Sequence, residues 1–260
     1  MSQKYKLTSK IKKIKHDVTR KTIILYRIKA LKDFSDVKAG DLGGFIEKES
    51  NLSHKGNCWV YDEACAYGAA CIYENAKIRH KAHVCGYVYG NAEVYGKALV
   101  SQYAQVYDNA CIYDNARVYG LVYGNAHVHG SARIYVDAHI YDHAHVSYNA
   151  WVYSYARVYG NAKVSGCTCL YSHAKIYNHA IVHGRTKIYG SVYGNAHVSG
   201  RAEIYGSVYG NAKISHYAKV WGKVYGKARL NKPNKVAVVL KECEVYEKDH
   251  IIDLSKQNDN

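Results

Sequence analysis

An all-β chain wound as a three-sided parallel β-helix is the fold this sequence predicts, and three observations carry it. An aliphatic residue recurs every six positions between residues 60 and 230, with Ala66 the one departure from Val, Ile or Leu. Four positions after the aliphatic of each full-length side sits a small residue, usually Ala, with Thr168 and Thr186 as the exceptions. Five steps are only four residues long: 84→88, 118→122, 188→192, 204→208 and 220→224. Counted as sides from Val60, all five fall in one class of three. Chance does this in roughly one case in eighty, so the coil has three sides, and the sides make about ten coils.

Each side follows from its residues. A six-residue period fits no helix, but it fits a short strand and a corner. Strand side chains alternate, so the aliphatic points inward and its two neighbours point outward. The recurrent Gly-Asn of VYGNA supplies the corner, because both residues tolerate the left-handed region, and the Ala that follows fills the tight interior angle. Backbone hydrogen bonds run from coil to coil, so strand edges are exposed only at the ends and need caps. Residues 1–57 hold the strand-like TIILYRIKAL and a Gly-rich turn at 39–44, and are expected to form a basic arm and an N-terminal β cap. Residues 58–230 are the repeat. Residues 231–260, with VAVVL at 236–240 and ECEVY at 242–246, are expected to give a C-terminal cap and a frayed tail.

Composition narrows the function classes. Apolar residues make up 48% of the 260, which excludes a disordered chain. No stretch reads as a basic-then-apolar leader or approaches the ~18 apolar residues of a membrane span, so a cytoplasmic location without a membrane partner is expected. The eight Cys show no metal or redox spacing, and are expected to be reduced. The formal charge is +15, and residues 1–33 hold eleven Lys and Arg against Asp17 and Asp33. A basic arm of this kind suits nucleic acid, a nucleoprotein complex or an acidic protein; a solvated Lys-rich terminus is the alternative.

The outward residues can be read one face at a time. The face that receives the short step displays Tyr73, Tyr89, Tyr107, Tyr123, Tyr141, Tyr159, Tyr177, Tyr193, Tyr209 and Tyr225. The face before it turns aromatic from Tyr119 and runs to Trp221, and the third face turns to Ser and His from His129 onward. Such ladders can shield backbone hydrogen bonds, or serve as recognition strips flanked by cations, or join subunits in self-assembly. The candidate partner-binding set is Lys10, Lys12, Lys13, Lys15, Arg20, Lys21, Arg117, Arg133, Arg157, Lys175 and Lys187, with Tyr123, Tyr141, Tyr159, Tyr177 and Tyr193. His127, His129 and His145 gather on the third face, but no Cys or carboxylate completes a zinc set, so no metal is expected.

The phrase [V/I]-x-G-N-A-x over residues 58–230 resembles the hexapeptide-repeat superfamily, the left-handed parallel β-helices best known from bacterial acyltransferases. The segment 33–64, DFSDVKAGDLGGFIEKESNLSHKGNCWVYDEA, resembles a bacterial and phage-borne subgroup labelled as acyltransferases or polymer-forming proteins. The resemblance implies a left-handed coil. In its enzymes it implies a homotrimer, an acyl-CoA donor and a His general base, for which His127, His129 and His145 are the candidates. The ruler shows no inserted loop between 60 and 230 to cover a donor. The leading expectation is therefore a non-catalytic rod that needs no cofactor and binds nucleic acid or a nucleoprotein complex, as a phage-type inhibitor of a nucleic-acid machine would. Acyl-CoA-dependent transfer is the alternative, and self-assembly through the Tyr ladders is a third reading.

Overall fold

A computed structural model describes residues 3–15, 21–233 and 236–256. The chain is an all-β parallel solenoid built of two-residue strands and close corners. It divides into two compact units, Met1–Gly130 and Ser131–Asn260.

In the first unit the three faces are parallel ladders in the register the ruler predicts. Cys65, His83, Leu99 and Arg117 are paired in series on the face before the short step. Cys71, Tyr87, Gln105 and Leu121 follow one another on the short-step face. Trp59, Lys77, Glu93, Cys111 and His127 make the third. The second unit repeats the plan, with Arg133–Trp151–Cys169–Lys187–Glu203–Lys219 on the face before the short step. Its short-step face runs His139–Arg157–Lys175–Ser191–Ser207–Lys223. Its third face runs His145–Lys163–Ile181–His197–Lys213–Arg229. Inside, the aliphatics and corner alanines are at or near 0% exposed, so each Val or Ile contributes about 1.5–3 kcal/mol of burial.

The corners correct one detail of the sequence reading. The first corner residue alone takes positive φ, whether it is Gly90, Asp108, Glu74 or Tyr148. The Asn after it instead joins its amide to the next coil: Asn75, Asn91, Asn109 and Asn125 form a chain of side-chain hydrogen bonds of 3.0–3.1 Å. An Asp in the first position helps too, as Asp108 accepts the Gly124 N–H at 3.1 Å. At the short corners Gly is obligatory for space. A Cβ on Gly206 would sit 2.1 Å from the Gly222 carbonyl oxygen.

The caps hold more structure than the sequence suggests. Tyr5–Lys15 is a strand, paired antiparallel with Thr22–Ala30, so the basic arm is one half of a hairpin. Leu42–Ile46 pairs with that hairpin and, in parallel, with Cys65–Ala66. Gly43 and Gly44 lie within this strand rather than in a turn, where a Cβ would meet atoms at 2.6 Å. At the other end Ala237–Val239 and Cys243–Lys248 extend the ladders, as expected. Ile251–Asp253, expected to be frayed, pairs antiparallel with Cys243–Lys248. Its apolar Ile251 and Ile252 extend the end of the short-step sheet.

Candidate functional site

The Tyr columns stack as the register requires. In the first unit Tyr73, Tyr89, Tyr107 and Tyr123 are parallel, with ring centroids 4.7–4.9 Å apart. In the second, Tyr141, Tyr159, Tyr177, Tyr193, Tyr209 and Tyr225 continue at 4.7–5.0 Å. Tyr135 to Trp221 stack on the face before them at 4.5–5.2 Å. The ring faces cover one another, so solvent meets edges and hydroxyls. Burial first, and neighbouring phenols second, push the Tyr107 hydroxyl up to about 12. A base about 3.4 Å thick has no room between rings at this spacing, which removes intercalation as a use for the strips.

The predicted cations divide by what surrounds them. Lys12 pairs with Glu63 at 3.1 Å and lies over the Phe45 ring, whereas Lys10, Lys13, Lys15 and Lys21 are exposed on the hairpin. Arg20 lies outside the described residues. Arg117 stands in register with Leu99, and Arg133 lies over Trp151. Arg157 and Lys175 are like charges in register, and burial followed by Arg157 lowers the pKa of His139, the next residue of the column. Lys187 and Lys219 are both held by Glu203, at 3.4 and 3.5 Å, and Lys223 by Glu244 at 2.7 Å.

The third face of the second unit differs from both. Its outward residues are His145, Ser147, Lys163, Ser165, Ile181, His183, His197, Ser199, Lys213, Ser215, Arg229 and Asn231, with no carboxylate among them. Lys163, Lys213 and Arg229 are exposed and, among the described residues, have no ion-pair partner. The short Ser side chains leave these cations standing clear of the sheet.

On this face lies a pair that the sequence reading missed. His183 Nε2 is 2.8 Å from His197 Nε2, so one imidazole donates and the other accepts. Beside the pair is a groove of about 190 Å³ lined by His197, Ser199, Lys213, Ser215 and Arg229. Burial first, then His183 and Lys213, lowers the His197 pKa, so the imidazole is neutral near pH 7 and free to accept a proton.

The predicted imidazoles sit elsewhere. His129 stacks on Tyr113 at 4.7 Å, with its Nδ1 3.8 Å from the Asp114 carboxylate. His127 lies edge-on to Tyr113, and burial followed by His129 lowers its pKa. Both belong to the first unit; His145 is in the second, in register with Lys163. Among the described residues no three His, Cys, Asp or Glu side chains converge on a metal position. All eight cysteines are free thiols. No helix among the described residues is long and apolar enough to cross a membrane.

Comparison with known proteins agrees with this architecture. Residues 104–120 match the family model described as the YdcK β-solenoid repeat. Over 90 residues the chain is 40% identical to the "Uncharacterized acetyltransferase YdcK" of Escherichia coli (strain K12). That alignment covers 34% of this chain and 28% of the relative's length. The chain is thus a hexapeptide-type β-solenoid with a local likeness to a protein named as an acetyltransferase.

Proposed function

We propose that this β-solenoid transfers an acyl group from an acyl-CoA donor, with the His183–His197 pair as the proton-accepting centre. The pair itself carries the reading. An imidazole kept neutral can take the proton from a hydroxyl or amine acceptor as the acceptor attacks the thioester carbonyl. The second imidazole, 2.8 Å away, orients the first and shares the positive charge that develops. Lys213 and Arg229 beside the pair suit the donor's phosphates. The groove, at about 190 Å³, is smaller than the ~300 Å³ of ordinary cofactor pockets. A neighbouring copy of the chain, as in a homotrimer, supplies the missing wall.

The test is thiol release from acetyl-CoA across a panel of hydroxyl and amine acceptors, with oligomer mass measured alongside. His197→Ala is expected to lower kcat by about 10²–10⁴-fold with the mass unchanged. A wild-type protein that releases no thiol above blank, or a His197→Ala variant at full rate, ends the proposal. His127, His129 and His145 serve as comparison sites and should tolerate Ala.

Charge placement favours a second reading, binding of nucleic acid or a nucleoprotein complex. Residues 131–231 hold twelve Lys and Arg against Asp137, Asp142 and Glu203, a formal excess of nine. Residues 58–130 hold five against six, so the excess belongs to the repeat of one unit and is not a property of the coil. The unpaired Lys163, Lys213 and Arg229 are the residues to test, with Lys10, Lys13 and Lys15 of the hairpin as a second set. Affinity for duplex or single-stranded nucleic acid should fall steeply with salt. Neutralising the first three should reduce that log–log slope by about 2–3. A flat salt response rules this reading out, and with it inhibition of a nucleic-acid machine by occupancy.

A further inference from the structure

Among the described residues one lysine is completely buried. Lys4 is 1% exposed, and its ε-nitrogen donates to the carbonyl oxygens of Cys58 and Gly56 at 2.8 and 3.3 Å. It also lies 3.3 Å from the Cys58 thiol sulfur and over the Phe34 ring. Among the described residues no carboxylate pairs with it. A buried ammonium with no anion is costly, and burial lowers the Lys4 pKa. The same burial raises the Cys58 pKa, keeping the sulfur as a thiol. The lysine nitrogen and the thiol sulfur are therefore held in contact in a buried site.

We propose that Lys4 and Cys58 are a modification site at which molecular oxygen closes a covalent N–O–S bridge between the ε-nitrogen and the thiol sulfur. One N–H bond, the S–H bond and the O=O bond break; one N–O and one O–S bond form, and the second oxygen atom leaves as water. Nitrogen and sulfur each give up two electrons, and dioxygen takes all four. Two equivalents of a dithiol reverse the step, returning amine, thiol and water.

The position gives the bridge a purpose. Lys4 precedes the outer hairpin strand, and Cys58 precedes the first side of the repeat. Tyr5 already docks the same point by donating its hydroxyl to the Leu52 carbonyl at 2.8 Å. A bond here would clamp the N-terminal cap, and with it the exposed sheet edge, onto the first coil under oxidising conditions. Cys65 is the internal control. Lys12 reaches it, but Lys12 is held at 3.1 Å by the Glu63 carboxylate, a partner that Lys4 lacks.

The experiment is intact mass and peptide mapping of the full chain, after air-saturated buffer and after dithiothreitol. The oxidised protein should gain about 14 Da, one oxygen gained and two hydrogens lost, in a linked peptide pair containing Lys4 and Cys58. The pair should vanish with dithiol, and be absent from Cys58→Ser and Lys4→Met. The wild-type map decides the matter even where those variants fold poorly. Recovery of Cys58 as an alkylatable thiol, or as a disulfide or sulfonate, while exposed Cys167 is oxidised, overturns the proposal.

Discussion

Thr168 and Thr186 stand where most sides carry Ala, on adjacent coils of the second unit, and both are 0% exposed. Their hydroxyl oxygens are 3.0 Å apart, and Thr168 also donates to the Ser165 carbonyl at 2.7 Å. With the Thr168 proton committed to Ser165, the bond between the two runs from Thr186 to Thr168. The two single substitutions are therefore unequal. Thr186→Ala removes a donor and leaves Thr168 bonded to Ser165, a loss of about 0.5–1.5 kcal/mol. Thr168→Ala strands the Thr186 hydroxyl in the core without an acceptor, at about 1–3 kcal/mol. Each change also deletes one buried methyl, so that contribution is similar in both and drops out of the comparison.

The double variant restores Ala at both corners and strands nothing. Its cost should fall short of the sum of the singles by about 1 kcal/mol or more. Urea unfolding of the four proteins, compared at constant m, measures the cycle. Equal single effects, or additive ones, would show that the hydroxyls do not depend on each other, and the assigned direction of the bond would be wrong.

Other expectations follow from the same geometry. Gly206→Ala places a Cβ 2.1 Å from one backbone oxygen and 2.2 Å from another, so it should cost about 3 kcal/mol or more; Gly68→Ala meets nothing within 4 Å and should cost only the ~1–2 kcal/mol of its positive φ. Thermal melts compare the two, and equal shifts would refute the steric account. Tyr177→Ser loses stacking on Tyr159 and Tyr193 and should destabilise by about 1–3 kcal/mol, read by urea midpoint. Because burial, His183 and Lys213 lower the His197 pKa, the unfolded chain binds a proton first as pH falls through ~6.5. Stability should decline from there down to the folded value; an imidazole titration by NMR with a midpoint at or above ~6.5 would contradict this.

Most of the fold is written in residues whose side chains have one place to go. The aliphatic and the corner Ala are invariably interior, so their spacing measures the coil directly, and the short steps mark which face begins again. The parts that escaped obey other constraints. In KIKKIK the two Ile are three apart rather than two, so strand alternation is broken and the run reads as a solvated arm; its lysines discourage edge-to-edge pairing. The segment 42–57 completes a turn of the coil without the repeat, because Ile46 and Leu52 fill the interior with no corner Ala to mark them, while Phe45 faces outward with Cys65 under the hairpin. Asn at the second corner position reads as a turn former, yet its benefit comes from the next Asn, a coil away.

The site was less legible for a geometric reason. Matching positions eighteen residues apart along the sequence selects His127 and His145. His183 lies opposite Ser199, across a coil shortened to sixteen residues, and it meets His197 on the diagonal. Long rings reach that diagonal as readily as the direct neighbour. Charge was legible as a total but not as a pattern, because pairing decides which cations are available. Glu203 takes up Lys187 and Lys219, and Glu244 takes up Lys223, while the third face offers Lys163, Lys213 and Arg229 no such partner. Acyl-CoA and nucleic acid would both use Lys213 and Arg229, so neutralising them weakens either ligand and separates nothing. The imidazole pair separates them. If His197→Ala abolishes thioester cleavage while leaving polyanion binding and its salt slope intact, the cations serve a donor. If neither activity nor slope responds to it, the face is a docking surface and the pair only buttresses the sheet.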